Sequence, residues 1–499
     1  MRPNALADRM YGLLMIGFEG TVPADIPADL IAGAAGAILF RHNLVDPVQA
    51  RDLIDAIRAT QPADMPPLIA IDQEGGAVSR LVGFATAMPS AAALGAIGDP
   101  ALTRVAYHVM GEELAALGCN VDLAPVADVN DEKGNSVMGT RSFGDDPALV
   151  AGHVVAAIHG LHDAGVAATA KHFPGHGSTR ADSHHELPVL DHDIERLRAV
   201  EFVPFRAALE AGVDIVMTGH IALPRVDEAG LPATLSRPIV TDLLRQELGF
   251  DGVVCTDDLE MKAVETSAAP VQALAAGADL LLFRTAAGAR RAIETLRSSA
   301  HGQVEQSALA AKIARIERLR RSLASQPRSD IESVGSGAHR AAALDIARRA
   351  VRVVRDPHGA IPLAPTSGKR LFLVDFQSGP KTSATLSTPL SKLLARGPAR
   401  VQEQIRELDP AGHSFKQLLM AATGADVIVA VARSLIRHPL QARAVGDLAK
   451  LGKPLVVILA AEANDVAKVS DDVAVITAFG DDESTMQAVA ELLLGDGAK

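Results

Sequence analysis

Acidic and basic side chains stand at the ends of several short apolar runs in the first half of the chain. Asp72, Lys171, His220 and Asp257 each close such a run. A carboxylate in this position can attack the anomeric carbon of a sugar, while a second group protonates the departing oxygen and later activates water. The alternative is that these charged groups form salt bridges with a purely structural role. Because four runs end in this way, the pattern favours a catalytic or binding site.

Candidates for the nucleophile and for the acid/base group can be named from the sequence. Asp257 follows an apolar run over residues 252–255 and is the candidate nucleophile. Asp182 and His184 lie in a loop after Lys171 that is broken by glycine and proline, where a rigid scaffold can present catalytic groups. Asp182 can orient and charge His184, and an ordinary histidine pKa of about 6.5 suits both proton transfers near neutral pH.

Neighbouring residues leave each assignment open. His185 follows His184 directly, and Asp258 follows Asp257 directly. Each neighbour carries the same functional group as the residue beside it, so residue type alone does not choose between them. The pattern therefore predicts the two roles and leaves two candidates for each.

A metal site is the other chemistry that the histidines suggest. His172 and His176 are four residues apart, but Pro174 and Gly175 break any helix that would align their imidazoles on one ion. The first apolar run ends in residues 18–20, Phe-Glu-Gly, and offers no His-x-His pair. We therefore predict that the site holds no metal and that the chain uses no cofactor.

The elements that must position these groups follow from the apolar runs. Continuous apolar runs, each followed by a loop and an amphipathic stretch, are typical of parallel strands buried on both faces. The predicted strands are 12–18, 36–40, 67–72, 121–126, 167–172, 215–220, 252–257 and 279–283. This α/β pattern predicts a (β/α)8 TIM-type barrel, whose active site lies at the carboxyl ends of its strands. An open doubly wound sheet is the alternative, but no glycine-rich dinucleotide or phosphate loop follows the early strands.

The composition changes at about Ser322, where a stretch rich in serine, glycine and charge begins. A helical stretch over 339–354 follows it, and further apolar runs alternate with helical patterns up to the end of the chain. Those runs are 371–376, 426–432, 454–460 and 473–479. We predict a catalytic barrel over residues 1–325, a linker over 326–345 and a smaller α/β sandwich domain over 346–499.

Composition excludes several classes of function. The 499 residues include 48 Lys and Arg against 60 Asp and Glu, a net charge of −12, which argues against a nucleic-acid partner. The chain has no Trp and two Tyr, so it lacks the aromatic surfaces that grip polysaccharides, although a pocket for one sugar needs none. Cys119 and Cys255 are too few for a disulfide framework. With no signal sequence and no membrane-length apolar run, we expect a cytoplasmic protein without a membrane partner.

Four blocks of sequence carry a family resemblance. Together, and in this order, they resemble the bacterial β-N-acetylglucosaminidases of glycoside hydrolase family 3, the NagZ-like group in its two-domain form. The blocks are Asp72-Gln73-Glu74-Gly75-Gly76, Gly139-Thr140-Arg141-Ser142-Phe143-Gly144, Lys171-His172-Phe173-Pro174-Gly175-His176-Gly177 followed by Asp182-Ser183-His184 and Pro188, and Thr256-Asp257-Asp258-Leu259-Glu260-Met261. Position 77 departs from the group, because it is Ala where Arg or Pro is frequent.

The resemblance implies a role for individual residues. It selects Asp257 over Asp258 as the nucleophile, and it makes Asp182 and His184 the acid/base pair, which leaves His185 outside. By the same resemblance, terminal N-acetylglucosamine is bound by Asp72, Arg80, Arg141, Lys171 and His172. An ion pair at the barrel rim remains the structural alternative for the two arginines.

The implied function is a retaining exo-β-N-acetylglucosaminidase that acts on muropeptide fragments or other short β-linked N-acetylglucosaminides. Its partner is then a small carbohydrate or muropeptide substrate. A phosphorylase that uses phosphate in place of water is the main alternative among enzymes. A β-glucosidase and an inactive sugar-binding protein are less favoured alternatives. Since the acid/base pair is in the first domain, we expect the second domain to have a structural or docking role.

Overall fold

A computed structural model of the chain describes residues 10–132, 135, 137–179, 186–264, 266–299, 306–326, 328–363, 368–377 and 387–495. The chain forms two compact units. The first comprises Met1–Glu74, Val78–Thr86 and Gly98–His339, and the second comprises Gly75–Ala77, Ala87–Ile97 and Arg340–Lys499.

The first unit is built on a ring of parallel strands. Its described strands are β1 Leu14–Ile16, β2 Gly36–Leu39, β3 Leu68–Ile71, β4 Val121–Asp122, β5 Ala167–Phe173, β6 Ile215–Thr218, β7 Val253–Thr256 and β8 Leu281–Phe283. They pair in the order β7-β6-β5-β4-β3-β2-β1-β8, and a parallel bridge between Cys255 and Leu280 closes the ring. Every residue of these strands is buried, which explains why they read as continuous apolar runs.

Helices surround the ring. The described α-helices of this unit are Ala28–Ile31, Pro47–Arg58, Pro100–Leu117, Pro147–Asp163, Ile194–Ala199, Phe202–Glu210, Ala269–Ala276, Ala286–Ser299 and Gln306–Leu323, and Pro238–Glu247 is π-helical. The helical segment between β5 and β6 is broken into two at Val200 and Glu201. The break places Pro204 in the first turn of the second helix, where the missing N–H of proline costs no hydrogen bond.

The second unit is a sheet with helices on both faces. Its described strands are β9 Arg352–Arg355, β10 Arg370–Gln377, β11 Arg400–Glu407, β12 Val427–Ala432, β13 Leu455–Leu459 and β14 Ala474–Thr477, in the order β11-β10-β12-β13-β14-β9. All neighbours are parallel except β14 and β9. Separate apolar cores cover the two faces of the sheet. Its described α-helices are Ala91–Ile97, Gly337–Ala350, Pro389–Leu394, Gly412–Thr423, Pro439–Ala449 and Glu483–Leu494, the second of which begins in the first unit.

A barrel followed by a smaller α/β sandwich is the predicted fold class, and the structure confirms it. Two details of the sequence prediction were wrong. The helix expected over 339–354 is Gly337–Ala350, and residues 352–355 form β9 instead. Edge strands β9 and β11 were missed because their exposed, charged residues interrupt any apolar run.

Both cysteines lie in the core of the first unit. Cys119 is 3% exposed and Cys255 is fully buried. Burial raises the pKa of the Cys119 thiol to about 12 and raises that of Cys255 further. Among the helices of the described residues, none has the length and apolar character needed to cross a membrane.

Candidate active site

Asp257 is the first residue after β7 and faces a cavity at the carboxyl ends of the strands. Its amide donates to the Thr218 carbonyl at 3.1 Å, and its Oδ1 accepts from the Asp258 amide at 2.7 Å. Burial opposes ionisation, but His220, His172 and the Asp258 amide outweigh it and hold the pKa of Asp257 below its ordinary value. The side chain is therefore an ionised carboxylate held in fixed orientation, as a nucleophile requires.

Lys171 joins two carboxylates that follow β3. Its Nζ lies 2.9 Å from Asp72 Oδ1 and 2.6 Å from Glu74 Oε1, and the lysine side chain is 2% exposed. Burial works against the charge of Lys171, but the two carboxylates outweigh it and raise the pKa of the ammonium group. The same pairing, with the nearby arginines, overcomes burial and lowers the pKa of Asp72 and of Glu74.

Two arginines complete this ionic cluster. Arg141 donates to both oxygens of Glu74 at 2.7 Å, in the bidentate geometry that strengthens such pairs. Arg80 Nη2 donates to Asp72 Oδ2 at 3.1 Å. Three cations thus face two carboxylates, and every charged group is held by at least one partner.

His172 is oriented by a buried carboxylate after β4. Its Nδ1 lies 2.8 Å from Asp128 Oδ2, and Asp128 is fully buried. Burial opposes the charge of Asp128, but His172 and His176 outweigh it and lower the pKa of that carboxyl. Because an ionised carboxylate only accepts hydrogen bonds, Nδ1 carries the proton and Nε2 is left for a ligand.

These groups line one cavity of about 370 Å³. The lining residues are Ile38, Phe40, Asp72, Glu74, Val78, Arg80, Leu123, Val137, Arg141, Lys171, His172, His176, Met217, Asp257, Asp258, Met261, Leu282 and Arg284. This volume is at the small end of the range for ligand pockets, about 300–1,000 Å³. The cavity therefore suits one sugar unit bound through hydrogen bonds to charged side chains.

The structure brings most of the predicted site residues together. The nucleophile candidate and the five predicted sugar-binding residues all line this cavity, as does the alternative Asp258. Asp182, His184 and the alternative His185 lie outside the described residues. His220 lies behind the cavity, with its ring bonded to Thr234 Oγ1 at 2.8 Å and to the Asp258 carbonyl at 3.0 Å.

Three residues of the site were missed in the sequence. Glu74 was noted within a motif but given no role, although it stands two positions after Asp72 and so shares its face of an extended chain. Asp128 follows β4 and Arg284 follows β8. The rule that charged residues at strand ends face the site, applied to all eight strands, would have found both.

Replacing Asp258 with asparagine should stabilise the protein in mildly alkaline solution. Burial raises the pKa of Asp258 to about 6, with the Asp257 carboxylate acting in the same direction. Because the folded state prefers the protonated form, this group loses stability as pH rises through about 6. Asparagine keeps the acceptor for the Glu260 and Arg284 amides. At about pH 8 the variant should gain roughly 2 kcal/mol in free energy of unfolding.

Denaturant unfolding of both proteins at several pH values measures this difference. It should vanish below about pH 3, where the carboxyl of the wild type is protonated in both the folded and the unfolded state. A constant difference at all pH values would contradict the prediction. The matched control is Asp29→Asn, since that carboxylate is exposed in a surface pair with Arg290.

Comparison with known proteins identifies the family. The model of the glycosyl hydrolase family 3 N terminal domain matches residues 5–319. A "Beta-hexosaminidase" of Stenotrophomonas maltophilia (strain R551-3) is 39% identical over 282 residues, covering 54% of this chain and 82% of the relative. A "Beta-hexosaminidase A" of Pseudoalteromonas piscicida is 32% identical over 439 residues, covering 78% of this chain and 72% of the relative.

Solved structures agree with the sequence relatives. A glycoside hydrolase family 3 beta-N-acetylglucosaminidase from Paenibacillus sp. str. FPU-7 matches with a TM-score of 0.90 at 34% identity, covering 98% of this chain and 96% of that chain. A beta-glucoside phosphorylase matches with a TM-score of 0.83 at 22% identity, covering 99% of this chain and 94% of that chain, and shares the fold. The chain belongs to glycoside hydrolase family 3 and is a glycoside hydrolase.

Proposed function

We propose that the protein is a retaining exo-β-N-acetylglucosaminidase. It removes terminal N-acetylglucosamine from muropeptide fragments or other short β-linked N-acetylglucosaminides. The observation that carries the proposal is Asp257, an ionised and oriented carboxylate in a cavity sized for one sugar. Relatives named for β-hexosaminidase and β-N-acetylglucosaminidase activity support the choice of sugar.

The ionic cluster supplies the hydrogen bonds that hold the sugar. Each Asp72 oxygen accepts from one cation, Lys171 or Arg80, and keeps a lone pair for a sugar hydroxyl. His172 Nε2 and the remaining arginine N–H groups can bond to further hydroxyls and to the acetamido carbonyl. Because these groups already hold one another in place, sugar binding requires little reorganisation of the protein.

The reaction proceeds in two displacements. In the first, an Asp257 oxygen bonds to the anomeric carbon as the bond to the leaving oxygen breaks, and His184 donates its proton to that oxygen. In the second, His184 takes a proton from water, the water oxygen bonds to the anomeric carbon, and Asp257 is released. Asp182 orients His184 and stabilises its charged form.

Assays of aryl N-acetyl-β-glucosaminides and aryl β-glucosides, with and without inorganic phosphate, test this function. We expect cleavage of the N-acetyl compounds, weak or no cleavage of the glucosides, and free N-acetylglucosamine as product under both conditions. In the same panel, His184→Ala should lose more activity on poor leaving groups than on activated phenols, which need little protonation. Sugar 1-phosphate as the main product would instead identify the enzyme as a phosphorylase.

A further inference from the structure

Arg284 stands at the edge of the cavity with its guanidinium largely unengaged. It follows β8 directly and lines the cavity. Its side chain is 55% exposed, and the carboxylate paired with it, Asp258, lies 3.8 Å from its Nε. Within the part of the chain that the structure describes, the guanidinium donates no hydrogen bond. Its positive charge is therefore available to a ligand.

The other cations that line the cavity are not available in this way. Lys171 is bonded to two carboxylates, Arg141 is bidentate on Glu74, and Arg80 is bonded to Asp72. The side chains of Lys171 and Arg141 are 2% and 18% exposed, against 55% for Arg284. Arg284 thus differs from them in both exposure and pairing.

The backbone of Arg284 is fixed although its side chain is largely exposed. Its amide donates to Asp258 Oδ1 at 3.2 Å. On the other side, Gly17 packs so closely that a Cβ there would lie 2.2 Å from the Arg284 carbonyl oxygen. The Gly17 amide also donates to the Phe283 carbonyl at 2.8 Å. These contacts hold the backbone of Arg284 beside Asp258, so the guanidinium can move only within the length of its own side chain.

A second cavity adjoins the first at this residue. It measures about 360 Å³ and is also lined by Arg284, together with Glu260, Thr266 and Arg291. The Arg291 side chain is 68% exposed and pairs with Glu260 at 3.2 Å. Arg284 therefore lines both cavities, and the second one carries another exposed cation.

We propose that Arg284 binds a carboxylate on the leaving group and thereby selects acidic aglycones. This inference rests on the proposed function, because it places the terminal sugar in the cavity with the aglycone directed outward past Asp257 and Asp258. Those two residues would repel an acidic aglycone, and the guanidinium offsets the repulsion. Arginine also suits the ligand, because its planar fork matches a carboxylate in bidentate geometry.

The test compares two substrates that differ in one charge. The first is N-acetylglucosamine β-1,4-linked to N-acetylmuramic acid, and the second is the same disaccharide with its lactyl carboxylate converted to the methyl amide. For the full chain, we expect kcat/KM to be about tenfold higher for the acid, as a charge-assisted contact predicts. Arg284→Gln should reduce this ratio to about one, and Arg284→Lys should keep part of it.

Arg290→Gln is the matched control, because Arg290 lies in the helix Ala286–Ser299 that follows Arg284, forms an exposed pair with Asp29 and lines neither cavity. It should keep the wild-type ratio. Equal kcat/KM values for the two substrates in the wild type, or an unchanged ratio in Arg284→Gln, would overturn the inference. Failure of the proposed function is distinguishable, since the wild type would then cleave neither substrate.

Assays at several concentrations of inorganic phosphate test whether Arg284 binds phosphate instead of a carboxylate on the aglycone. If Arg284 binds inorganic phosphate, the wild type should release sugar 1-phosphate. In Arg284→Gln, the rate of cleavage should then depend less on phosphate concentration. That result, with no preference for the acid substrate, would also overturn the assignment to the aglycone. If added phosphate changes neither the product nor the acid-to-amide ratio, the aglycone assignment is supported.

Discussion

Replacing Asp257 with alanine should lower turnover of an aryl N-acetyl-β-glucosaminide by about 10⁴-fold or more, equivalent to at least about 5 kcal/mol of transition-state free energy. The variant lacks the oxygen atom that bonds to the anomeric carbon. Steady-state kinetics measure the loss. Asp29→Ala, which removes an exposed carboxylate outside the cavity, should keep wild-type turnover.

Azide distinguishes a missing nucleophile from a damaged fold. In Asp257→Ala, azide can occupy the space of the lost carboxylate and attack the anomeric carbon from the same face. The bond to the aryl oxygen then breaks, and the product is the α-glycosyl azide, because azide has replaced the enzyme carboxylate in the first displacement. Restored turnover with this product would support the assignment. Near wild-type activity without azide would contradict it.

Glu74→Gln should have the largest effect on stability among the cavity residues. The carboxylate is 2% exposed and accepts hydrogen bonds from Arg141 and Lys171. Without its charge, Lys171 keeps only Asp72 as an ion-pair partner, and the half-buried Arg141 keeps none among the described residues. Removing one partner of a buried ion pair costs about 3–5 kcal/mol. We expect a loss of that size in the free energy of unfolding, measured by denaturant titration, and weaker sugar binding because Lys171 and Arg141 lose their fixed positions.

The pH dependence of this loss has a definite sign. The pKa of Glu74 is lowered in the folded state, so its ionisation stabilises the protein above the ordinary value of 4.5 and loses effect as pH falls. At about pH 3 the difference between wild type and variant should shrink by roughly 2 kcal/mol. Glu247→Gln is the control, since Glu247 forms an exposed pair with Arg198 whose loss costs at most about 1 kcal/mol. Similar losses in both variants would contradict the argument.

The barrel could be predicted because its strands are buried on both faces. Their apolar runs stand out without any alignment, and the charged residues that close four of these runs mark the carboxyl edge. What could not be predicted depends on partners distant in sequence. Strand β11 reads as a polar stretch, and only its pairing with β10 makes it a strand. The helix break before Pro204 is different, because the proline is a signal in the sequence itself that helical periodicity alone does not register.

The candidate site was also predictable only in part. The residue types at the strand ends predicted Asp72, Lys171 and Asp257, but not which groups would pair. Glu74 and Arg141 are 67 positions apart, and neighbouring strands bring them into bidentate contact. The exposure of Arg284 and its long ion-pair distance were equally hidden, because a sequence does not show how closely each arginine pairs with a carboxylate.

The inertness of the two buried thiols has a practical consequence. Thiol reagents attack the thiolate, which Cys119 and Cys255 form only at strongly alkaline pH. Native cysteines therefore need not be removed before a reporter group is attached. A cysteine introduced at exposed Val82 or Val189 would be modified selectively at neutral pH. Fluorescent or spin labels could therefore be attached at either position in the otherwise unaltered enzyme.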